Sequence, residues 1–423
     1  MEIRQLLVES FLAAIAAADP LRILPAHLPS PPRGRTLVVG AGKAAASMAL
    51  AVEQNWPSGV ALEGIVVTRY RHGLPTRRIK VIEAGHPVPD ATGQAAAKEI
   101  LHRVHELSAD DLLLVLISGG GSALLSLPVD SVGIEALKAV TRELLRCGAP
   151  IQEMNIVRKH LSAIHGGRLA AACNAPVLAL IVSDVTGDDP THIASGPCAP
   201  DPSTFHDALA VLRRYGVEAP PPVREYLERG ARGEVPETPK PSDKSFSRTE
   251  NRVVATAQQA LRAASKFFQA QGISSLILGD SVTGESAEVA KAYGALTRQI
   301  VRHDEPARRP VALLSGGECT VTVRGQGRGG RCAEFLLSLA IDLAGLAGVH
   351  AIACDTDGID GSEDNAGAVL FPDSLDRGAE AGLKAKALLA DNDAYGFFSA
   401  IGDLVVTGPT RTNVNDYRAI VIT

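Results

Sequence analysis

The stretch LLLVLISGGGSA, from Leu112 to Ala123, is an apolar run that ends abruptly in three glycines between two serines. Six apolar residues without alternation are typical of a strand buried on both faces, as in a parallel sheet. Such sheets bind ligands where their strands end and the chain turns into a helix. The turn comprises Ser118, Gly119, Gly120, Gly121 and Ser122. It brings several backbone N–H groups and two hydroxyls together, an arrangement that suits a phosphate or a carboxylate. A flexible linker is the alternative, but a linker does not normally interrupt a strand-to-helix unit.

The same alternation of short apolar runs and longer helical patterns continues on both sides of this stretch. It predicts β-α units, hence an α/β fold class with two three-layer domains and mostly parallel sheets. In the first half, strands are expected at 36–40, 64–68, 79–84, 111–118 and 176–183. A second series of strands is expected at 252–256, 274–279, 311–315, 320–324, 350–354, 404–407 and 418–423.

The length of 423 residues also suggests two domains, since one ordinary core is smaller. The segment 236–250 contains three prolines among charged and small polar residues, with almost nothing apolar to bury. We therefore expect an N-terminal domain at 1–235, a linker at 236–250 and a C-terminal α/β domain at 251–423.

Composition limits the classes of partner. The formal net charge of −5 gives no general attraction for nucleic acid or for an anionic membrane. The six cysteines show no metal-ligand spacing and are typical of free thiols in a cytosolic protein. Charged residues interrupt positions 1–20, and the apolar run at 11–18 is too short to span a bilayer. We expect a soluble, cytoplasmic protein with a small-molecule substrate, acting alone or as a homodimer.

The first glycine turn reads VVGAGKAA, from Val38 to Ala45. A lysine at the start of a helix is disfavoured by the helix dipole, so Lys43 indicates that an anion neutralises it. The turn is not a Walker A loop, because the pattern G-x-x-x-x-G-K-[ST] is absent. The second strand leads into Thr68, Arg69 and Tyr70, without the acidic residue that would hold the ribose of NAD.

Two further motifs lie in the first half. On a helix, Asn155, Arg158 and Lys159 share one face, which is either a solvated basic face or part of a ligand site. After the strand at 176–183, Asp184 and Asp188 belong to an acidic turn that suits an oxygen-seeking cation such as Mg²⁺. An Asp-rich turn that satisfies its own backbone is the alternative.

The second half of the chain also has glycine-rich and acidic turns after predicted strands. Gly316, Gly317 and Glu318 follow a predicted strand, and the glycine-rich, basic segment 324–331 opens a helix. Such a helix N-terminus is either a clamp for a polyphosphate or a flexible, solvated loop. Asp355 and Asp357 then follow the strand at 350–354 and suit either Mg²⁺ or a capping network.

Taken in order, these motifs resemble those of the class II glycerate kinases, ATP:D-glycerate 2-phosphotransferases that pair a Rossmann-like domain with a C-terminal MOFRL domain. The resemblance extends essentially from end to end, through 40–45, 85–90, 118–122, 155–167, 183–197, 315–318, 329–331 and 355–361. It implies phosphorylation of D-glycerate by ATP with Mg²⁺, at the 2-hydroxyl. The residues alone leave the 2- and 3-hydroxyls open.

The resemblance also implies roles for individual residues. Lys43 stands at the family's essential lysine, and Asp184, Glu318 and Arg331 stand where its other functionally important residues are expected. We predict catalytic roles for Lys43, Asp184 and Arg331. The predicted substrate and phosphate site comprises Ser118, Gly119, Gly120, Gly121, Ser122, Asn155 and Lys159. The predicted nucleotide site comprises Gly316, Gly317, Glu318, Arg328 and Arg331, and the predicted metal ligands are Asp184, Asp188, Asp355 and Asp357.

The chain departs from the family pattern at three places. Cys332 and Ala333 replace an Asn-Gln pair after Arg331, His165 stands where lysine is common, and Arg411 stands where glycine is common. Two other functions remain open. An NAD(P)H-dependent hydroxypyruvate reductase would use the glycine turn but lacks its acidic ribose partner. A non-catalytic nucleotide or sugar-acid sensor would need no Mg²⁺-binding carboxylates.

Overall fold

The computed structural model describes residues 2–423, which divide into two compact units. The N-terminal unit comprises Pro20–Val254, and the C-terminal unit comprises the described residues up to Asp19 together with Ala255–Thr423. Each unit contains a six-stranded sheet accompanied by helices. The predicted α/β fold class is therefore confirmed.

The strands alternate with helices along most of the chain. The first sheet contains β1 (Thr36–Ala41), β2 (Leu62–Arg69), β3 (Ile79–Ala84), β4 (Leu112–Ile117), β5 (Val177–Val182) and β6 (Thr249–Ala255). The second sheet contains β7 (Ser274–Gly279), β8 (Val311–Ser315), β9 (Val349–Asp355), β10 (Gly367–Leu370), β11 (Leu404–Val405) and β12 (Asp416–Ile422).

The helices follow the same order. They are α1 (Ile3–Ala16), α2 (Pro20–Ile23), α3 (Ala45–Asn55), α4 (Ala91–His105), α5 (Gly121–Leu124), α6 (Gly133–Arg146), α7 (Ile151–His160), α8 (Arg168–Ala171), α9 (Phe205–Arg214), α10 (Pro221–Ala231), α11 (Ala257–Ala270), α12 (Ser286–His303), α13 (Arg331–Leu343), α14 (Ser374–Glu380), α15 (Ala385–Ala390) and α16 (Ala394–Ala400), with 3-10 turns at Leu24–His27, Ile193–Ser195 and Lys244–Arg248. Across residues 2–423, no helix is both long and apolar enough to cross a membrane.

The first sheet has the strand order β3-β2-β1-β4-β5-β6, which is the order of doubly wound domains. Strands β1 to β5 are parallel to one another, and every residue of β1, β4 and β5 is buried. The register aligns Ala41 with Val67 and Ile117, and Ile117 with Ile181. The turns that follow these strands therefore open at one edge of the sheet.

The second sheet has the strand order β11-β10-β9-β12-β8-β7 and differs from the expectation of mostly parallel strands. Only β7 and β8 are parallel; β12 is antiparallel to both β8 and β9, and β10 is antiparallel to β9 and β11. A buried apolar run reads the same in either direction, so the pattern of the sequence does not give strand direction. The predicted strand at 320–324 is absent from this sheet, where Thr320 forms only an isolated bridge with Glu285.

Two elements lie in a different unit from the one we expected. Strand β6, which we expected to begin the second domain, is the edge strand beside β5 in the first sheet. Helix α1 belongs to the C-terminal unit, where Phe11 stacks on Tyr417 with ring centroids 5.8 Å apart. The Tyr417 hydroxyl donates to the Ser10 hydroxyl over 2.8 Å. The apolar face of a helix predicts burial but does not identify the element that covers it.

The predicted linker at 236–250 is an ordered part of the N-terminal unit. Glu237 accepts hydrogen bonds from the Phe205 amide (2.9 Å), His160 Nε2 (3.2 Å) and Lys240 Nζ (3.0 Å). Thr238 beside it is buried. The segment contains the 3-10 turn Lys244–Arg248 and the start of β6, and its long-range polar partners are not visible in a local pattern.

Replacing Glu237 with glutamine is expected to lower the free energy of unfolding by about 1–2 kcal/mol at neutral pH, allowing for the partial exposure of the group. Burial opposes ionisation, but hydrogen bonds from His160, Phe205 and Lys240 outweigh it and lower the pKa of Glu237 to about 2. Because the unfolded value is about 4.3, the stabilisation is complete above that pH and is lost as the pH falls towards 2. Urea unfolding of both proteins at pH 7, 5, 4 and 3 should show the difference narrowing. A difference that does not change with pH would contradict the role of the carboxylate.

Candidate functional site

The lysine turn after β1 and the glycine turn after β4 lie side by side at the carboxyl edge of the first sheet. The Lys43 amide donates to the Gly119 carbonyl over 2.8 Å, and the Ala44 amide donates to Ser118 Oγ over 3.0 Å. Lys43 is half-buried and immediately precedes Ala44, the N-cap residue of α3. The structure therefore brings together two motifs that are 75 residues apart in the sequence.

Within the glycine turn, the residues have different surroundings. Ser118 is fully buried, and its hydroxyl accepts from the N-terminus of α3. Within residues 2–423, the amides of Gly119, Gly120 and Ser122 meet no hydrogen-bond acceptor in the protein. The turn therefore keeps backbone donors for an anion, while Ser118 holds the turn in place.

Gly120 requires its small size and its backbone freedom. Its φ is +81°, in the left-handed region. A Cβ atom added to it would lie 2.8 Å from His86 Nε2 and 3.5 Å from Lys43 Cγ. The side chains of His86 and Lys43 thus flank the turn.

Replacing Gly120 with alanine is expected to lower kcat/KM at least about tenfold and to lower stability by about 1–2 kcal/mol. The added methyl group pushes against His86 beside Lys43 and disturbs the geometry of the turn. Gly233→Ala is the matched control, because Gly233 has a φ of +76° but nothing within 4 Å of its added Cβ. Steady-state kinetics and thermal unfolding of both variants give the measurement. Equal kinetic losses in both would show that the contacts of Gly120 do not matter.

A chain of hydrogen bonds joins the glycine turn to α7. The Ser195 hydroxyl donates to Asn155 Oδ1 over 3.1 Å and lies 2.8 Å from the Ser122 hydroxyl, which therefore donates to it. The Asn155 side-chain amide donates to the His192 carbonyl over 3.3 Å. Ser195 adopts a φ of +57°, a strained conformation for a serine and one that occurs often at functional sites. The sequence placed 193–197 in a candidate turn but gave no role to Ser195.

Lys159, predicted to bind substrate, is paired within the protein. Its Nζ lies 3.5 Å from Asp201 Oδ1, and both side chains are at least 97% buried. Burial lowers the pKa of Lys159, and the nearby Asp201 carboxylate opposes that shift. Burial also works against ionisation of Asp201, but Lys159 and Ser203 outweigh it and lower the pKa of that carboxyl. Asp201 has no distinctive local motif and was not predicted.

The acidic turn after β5 lies at the same carboxyl edge as Lys43 and the glycine turn. Asp184 and Asp188 are half-buried, and Asp188 adopts a φ of +54°. Asp189 accepts from the Thr191 amide over 2.8 Å, so part of this turn satisfies its own backbone.

In the C-terminal unit, Arg331 is surrounded by carboxylates. Its Nε lies 2.7 Å from Asp416, its Nη2 2.7 Å from Asp355 and its Nη1 3.0 Å from Glu318. Burial disfavours the charge, but the three carboxylates outweigh it and hold the pKa of Arg331 well above its usual value. The buried guanidinium of Arg418 also bonds Asp416.

The other residues predicted to bind nucleotide surround this cluster. The Gly316 carbonyl accepts from Arg418 Nη1 over 3.2 Å, and the Gly317 carbonyl accepts from the Asp416 amide over 3.1 Å. Arg328 lies over the Tyr395 ring, 4.8 Å from its centroid, with its side chain 60% exposed.

Asp and Asn side chains accept hydrogen bonds from backbone amides of the basic loop at 324–331. Asp391, Asn392 and Asp393 accept from amides of Arg324 to Arg328. Asp360 is fully buried and accepts from the Cys332 and Ala333 amides, at 3.0 and 2.8 Å. Burial raises the pKa of Asp360 to about 6, against the effect of these amides. The helix N-terminus that we expected to clamp a polyphosphate is therefore capped by the protein itself.

The four carboxylates predicted to hold Mg²⁺ do not form one group. Asp184 and Asp188 lie in the N-terminal unit, whereas Asp355 and Asp357 lie in the C-terminal unit. Asp355 accepts from the Asp357 amide over 3.0 Å, and Asp357 accepts from the Ile359 amide over 2.9 Å, as in a capping network. In the described part of the chain, no group of three or more His, Cys, Asp or Glu side chains is arranged to hold a metal ion.

Comparison with known proteins identifies the family. Residues 6–228 match the family model described as "Domain of unknown function (DUF4147)", and residues 311–416 match the MOFRL family. A Thermotoga maritima protein named D-glycerate 2-kinase is 37% identical over 98% of this chain and 97% of its own. This chain belongs to the glycerate 2-kinase family. The crystal structure of glycerate kinase from Thermotoga maritima has a TM-score of 0.88 at 36% identity, covering 100% of this chain and 99% of that one.

Another member of the family carries a different name. A protein of Agrobacterium vitis, provisionally named hydroxypyruvate reductase, is 50% identical over 99% of this chain and 94% of its own. Both candidate sites lie within the family matches: the lysine and glycine turns in the DUF4147 region, and Arg331 with its carboxylates in the MOFRL region.

Proposed function

We propose that this chain transfers the γ-phosphoryl group of ATP to the 2-hydroxyl of D-glycerate, giving 2-phospho-D-glycerate and ADP. The full-length relationship to a D-glycerate 2-kinase is the observation that carries the proposal. The lysine and glycine turns at the carboxyl edge of the parallel sheet support it, because phosphoryl transfer depends on positioning and on neutralising charge.

Within this proposal, Lys43 neutralises the phosphoryl group during transfer, and the amides of Gly119, Gly120 and Ser122 donate to its oxygens. These amide donors lie in the turn after β4, which hydrogen bonds from the Lys43 and Ala44 amides hold in place, so little reorganisation is needed when charge develops. The hydrogen bonds from Ser122 to Ser195 and from Ser195 to Asn155 hold the turn against α7.

The carboxylate of Asp184 is proposed to orient or deprotonate the acceptor hydroxyl. Mg²⁺ bound with a nucleotide takes only one or two protein carboxylates and neutralises phosphate charge, and Asp184 with Asp188 is the pair that we propose for it. Asp355 and Asp357 are left out of this proposal, because each accepts from a backbone amide of its own turn.

The proposed nucleotide contacts in the C-terminal unit rest on the family resemblance. They involve Gly316, Gly317, Glu318, Arg328 and Arg331. Arg331 already bonds three carboxylates, and the exposed Glu318 is the one of them that an incoming phosphate could replace.

Reduction of hydroxypyruvate is the second candidate function, favoured by the name of the Agrobacterium vitis relative. It requires a nicotinamide cofactor, and strand β2 ends at Arg69 without the acidic residue that commonly binds the ribose of NAD.

One set of assays separates the candidates. The purified protein is incubated either with D-glycerate, ATP and Mg²⁺, with ADP measured by a coupled assay, or with hydroxypyruvate and NADH or NADPH. The kinase proposal requires ADP formation that depends on D-glycerate. NADH or NADPH oxidation alone would establish the reductase, and neither activity would favour a binding protein.

Phosphorus NMR of the kinase product tests the position of transfer. A site that fixes the carboxylate at C1 places the C2 hydroxyl closer to the anchored end than the C3 hydroxyl. We therefore expect the signal of 2-phosphoglycerate. A 3-phosphoglycerate signal would overturn the position while leaving the kinase activity in place.

A further inference from the structure

Arg158 lies on α7, one turn after Asn155 and on the same face. It is half-buried, and within residues 2–423 its guanidinium forms no hydrogen bond or ion pair with the protein. Burial lowers its pKa, and no nearby carboxylate offsets the effect. A partly desolvated cation without an anion is unfavourable, and a ligand carboxylate would relieve that cost.

His165 lies in the same region and is only 4% exposed. Its Nε2 is buried and has no hydrogen-bond partner among the described residues. Burial and the surrounding cations, chiefly Arg158, lower its pKa to about 3, so it is neutral at physiological pH. The region thus contains an unpaired cation and a neutral ring nitrogen that lacks a partner.

The other two cations of this region are already engaged. Lys159 pairs with Asp201, and Arg168 donates to the Lys159 carbonyl over 3.1 Å. The Asp201 and Glu237 carboxylates partly offset the effect of burial on the pKa of Arg168, whereas no carboxylate does so for Arg158. Arg158 is therefore the cation of this group that most needs an external anion.

Hydrogen bonds connect this region directly to the glycine turn. The Gly166 amide, next to His165, donates to the Ser195 carbonyl over 3.0 Å. Ser195 in turn bonds both Asn155, one turn before Arg158, and Ser122 of the glycine turn. Arg158 and His165 are thus carried by segments that are bonded to the site proposed for phosphoryl transfer.

We infer that Arg158 binds the carboxylate of the acceptor acid, with His165 as a neutral hydrogen-bonding neighbour. The inference rests on the proposed function and extends it to substrate selection. The planar guanidinium matches a carboxylate in two parallel hydrogen bonds, a geometry that lysine cannot reproduce. Glycerol carries the same hydroxyl groups without the carboxylate, and would leave Arg158 unpaired.

The test compares wild type with Arg158→Met, Arg158→Lys and the control Arg213→Met. Arg213 is an exposed residue on α9, a helix that packs against α7. We expect Arg158→Met to raise the KM for D-glycerate about 10- to 100-fold, with the KM for ATP changed less than about twofold. The KM of Arg158→Lys for D-glycerate should lie between those of wild type and Arg158→Met, and Arg213→Met should have the KM of wild type. The ratio of kcat/KM for D-glycerate to kcat/KM for glycerol should fall by the same factor by which the KM for D-glycerate rises.

Thermal unfolding and calorimetric titration of D-glycerate without ATP complete the test, and Arg158→Lys supplies the comparison if Arg158→Met does not fold. An unchanged KM for D-glycerate in Arg158→Met would overturn the inference and leave the kinase proposal in place. A raised KM for ATP alone would assign Arg158 to the nucleotide phosphates and would also overturn it. Absence of D-glycerate phosphorylation by wild type would overturn the proposed function itself.

Discussion

Replacing Lys43 with alanine is expected to reduce kcat by about 100- to 1,000-fold, the range seen when a preorganised transition-state donor is removed. The side chain lies beside Gly120 at the carboxyl edge of the sheet, where charge develops during transfer. The contacts that hold this turn come from the backbone, through the Lys43 and Ala44 amides, and alanine keeps them. The substitution should therefore remove charge while leaving the fold in place.

Kinetics and thermal unfolding of Lys43→Ala, Lys43→Arg and the control Lys98→Ala would test this expectation. Lys98 is an exposed lysine on α4 in the same unit. Lys98→Ala should retain wild-type kcat, and Lys43→Arg should keep more activity than Lys43→Ala because it keeps a positive charge. A kcat close to wild type in Lys43→Ala would contradict the catalytic role of Lys43.

The placement of Lys43 beside the glycine turn was predictable because a general rule supports it. Parallel strands end at one edge of their sheet, so turns after β1 and β4 meet wherever those strands are neighbours. The apolar runs were sufficient to locate both strands. No such rule predicts the strand order of the second sheet. There β12 lies between β8 and β9, a position that only the folded chain shows.

The serine and asparagine contacts illustrate what a local pattern omits. Ser122 and Ser195 are 73 residues apart, and Ser195 and Asn155 are 40 apart. Each residue is common and carries no distinctive spacing. The left-handed conformation of Ser195 could not be read from the sequence, although Gly196 beside it marks a tight turn.

The basic loop before α13 shows why charge in a sequence is ambiguous. Its glycines and arginines predicted open backbone donors for a polyphosphate, and the donors are indeed present. They are satisfied from a distance, by Asp360 and by the segment 391–393. A pattern identifies which groups need a partner, whereas only the fold shows whether the protein itself provides one.

Replacing Arg331 with alanine is expected to lower the free energy of unfolding by about 3–5 kcal/mol, the cost of leaving buried carboxylates without their counter-charge. Asp355 and Asp416 are almost fully buried, and each lies 2.7 Å from the guanidinium. Arg418 still bonds Asp416, so Asp355 should account for most of the loss. Arg328→Ala is the control, because its ion pair with Glu363 is exposed and worth little.

The double variant Arg331→Ala with Asp355→Asn separates stability from catalysis. Removing the carboxylate together with its partner should restore part of the stability, since an uncharged amide does not need the guanidinium. If Arg331 binds phosphate during transfer, kcat should stay low in the stabilised double variant. Recovery of kcat together with stability would instead make Arg331 a structural residue that holds the carboxylates at the start of α13. Urea unfolding and steady-state kinetics, measured on the same protein preparations, distinguish the two outcomes.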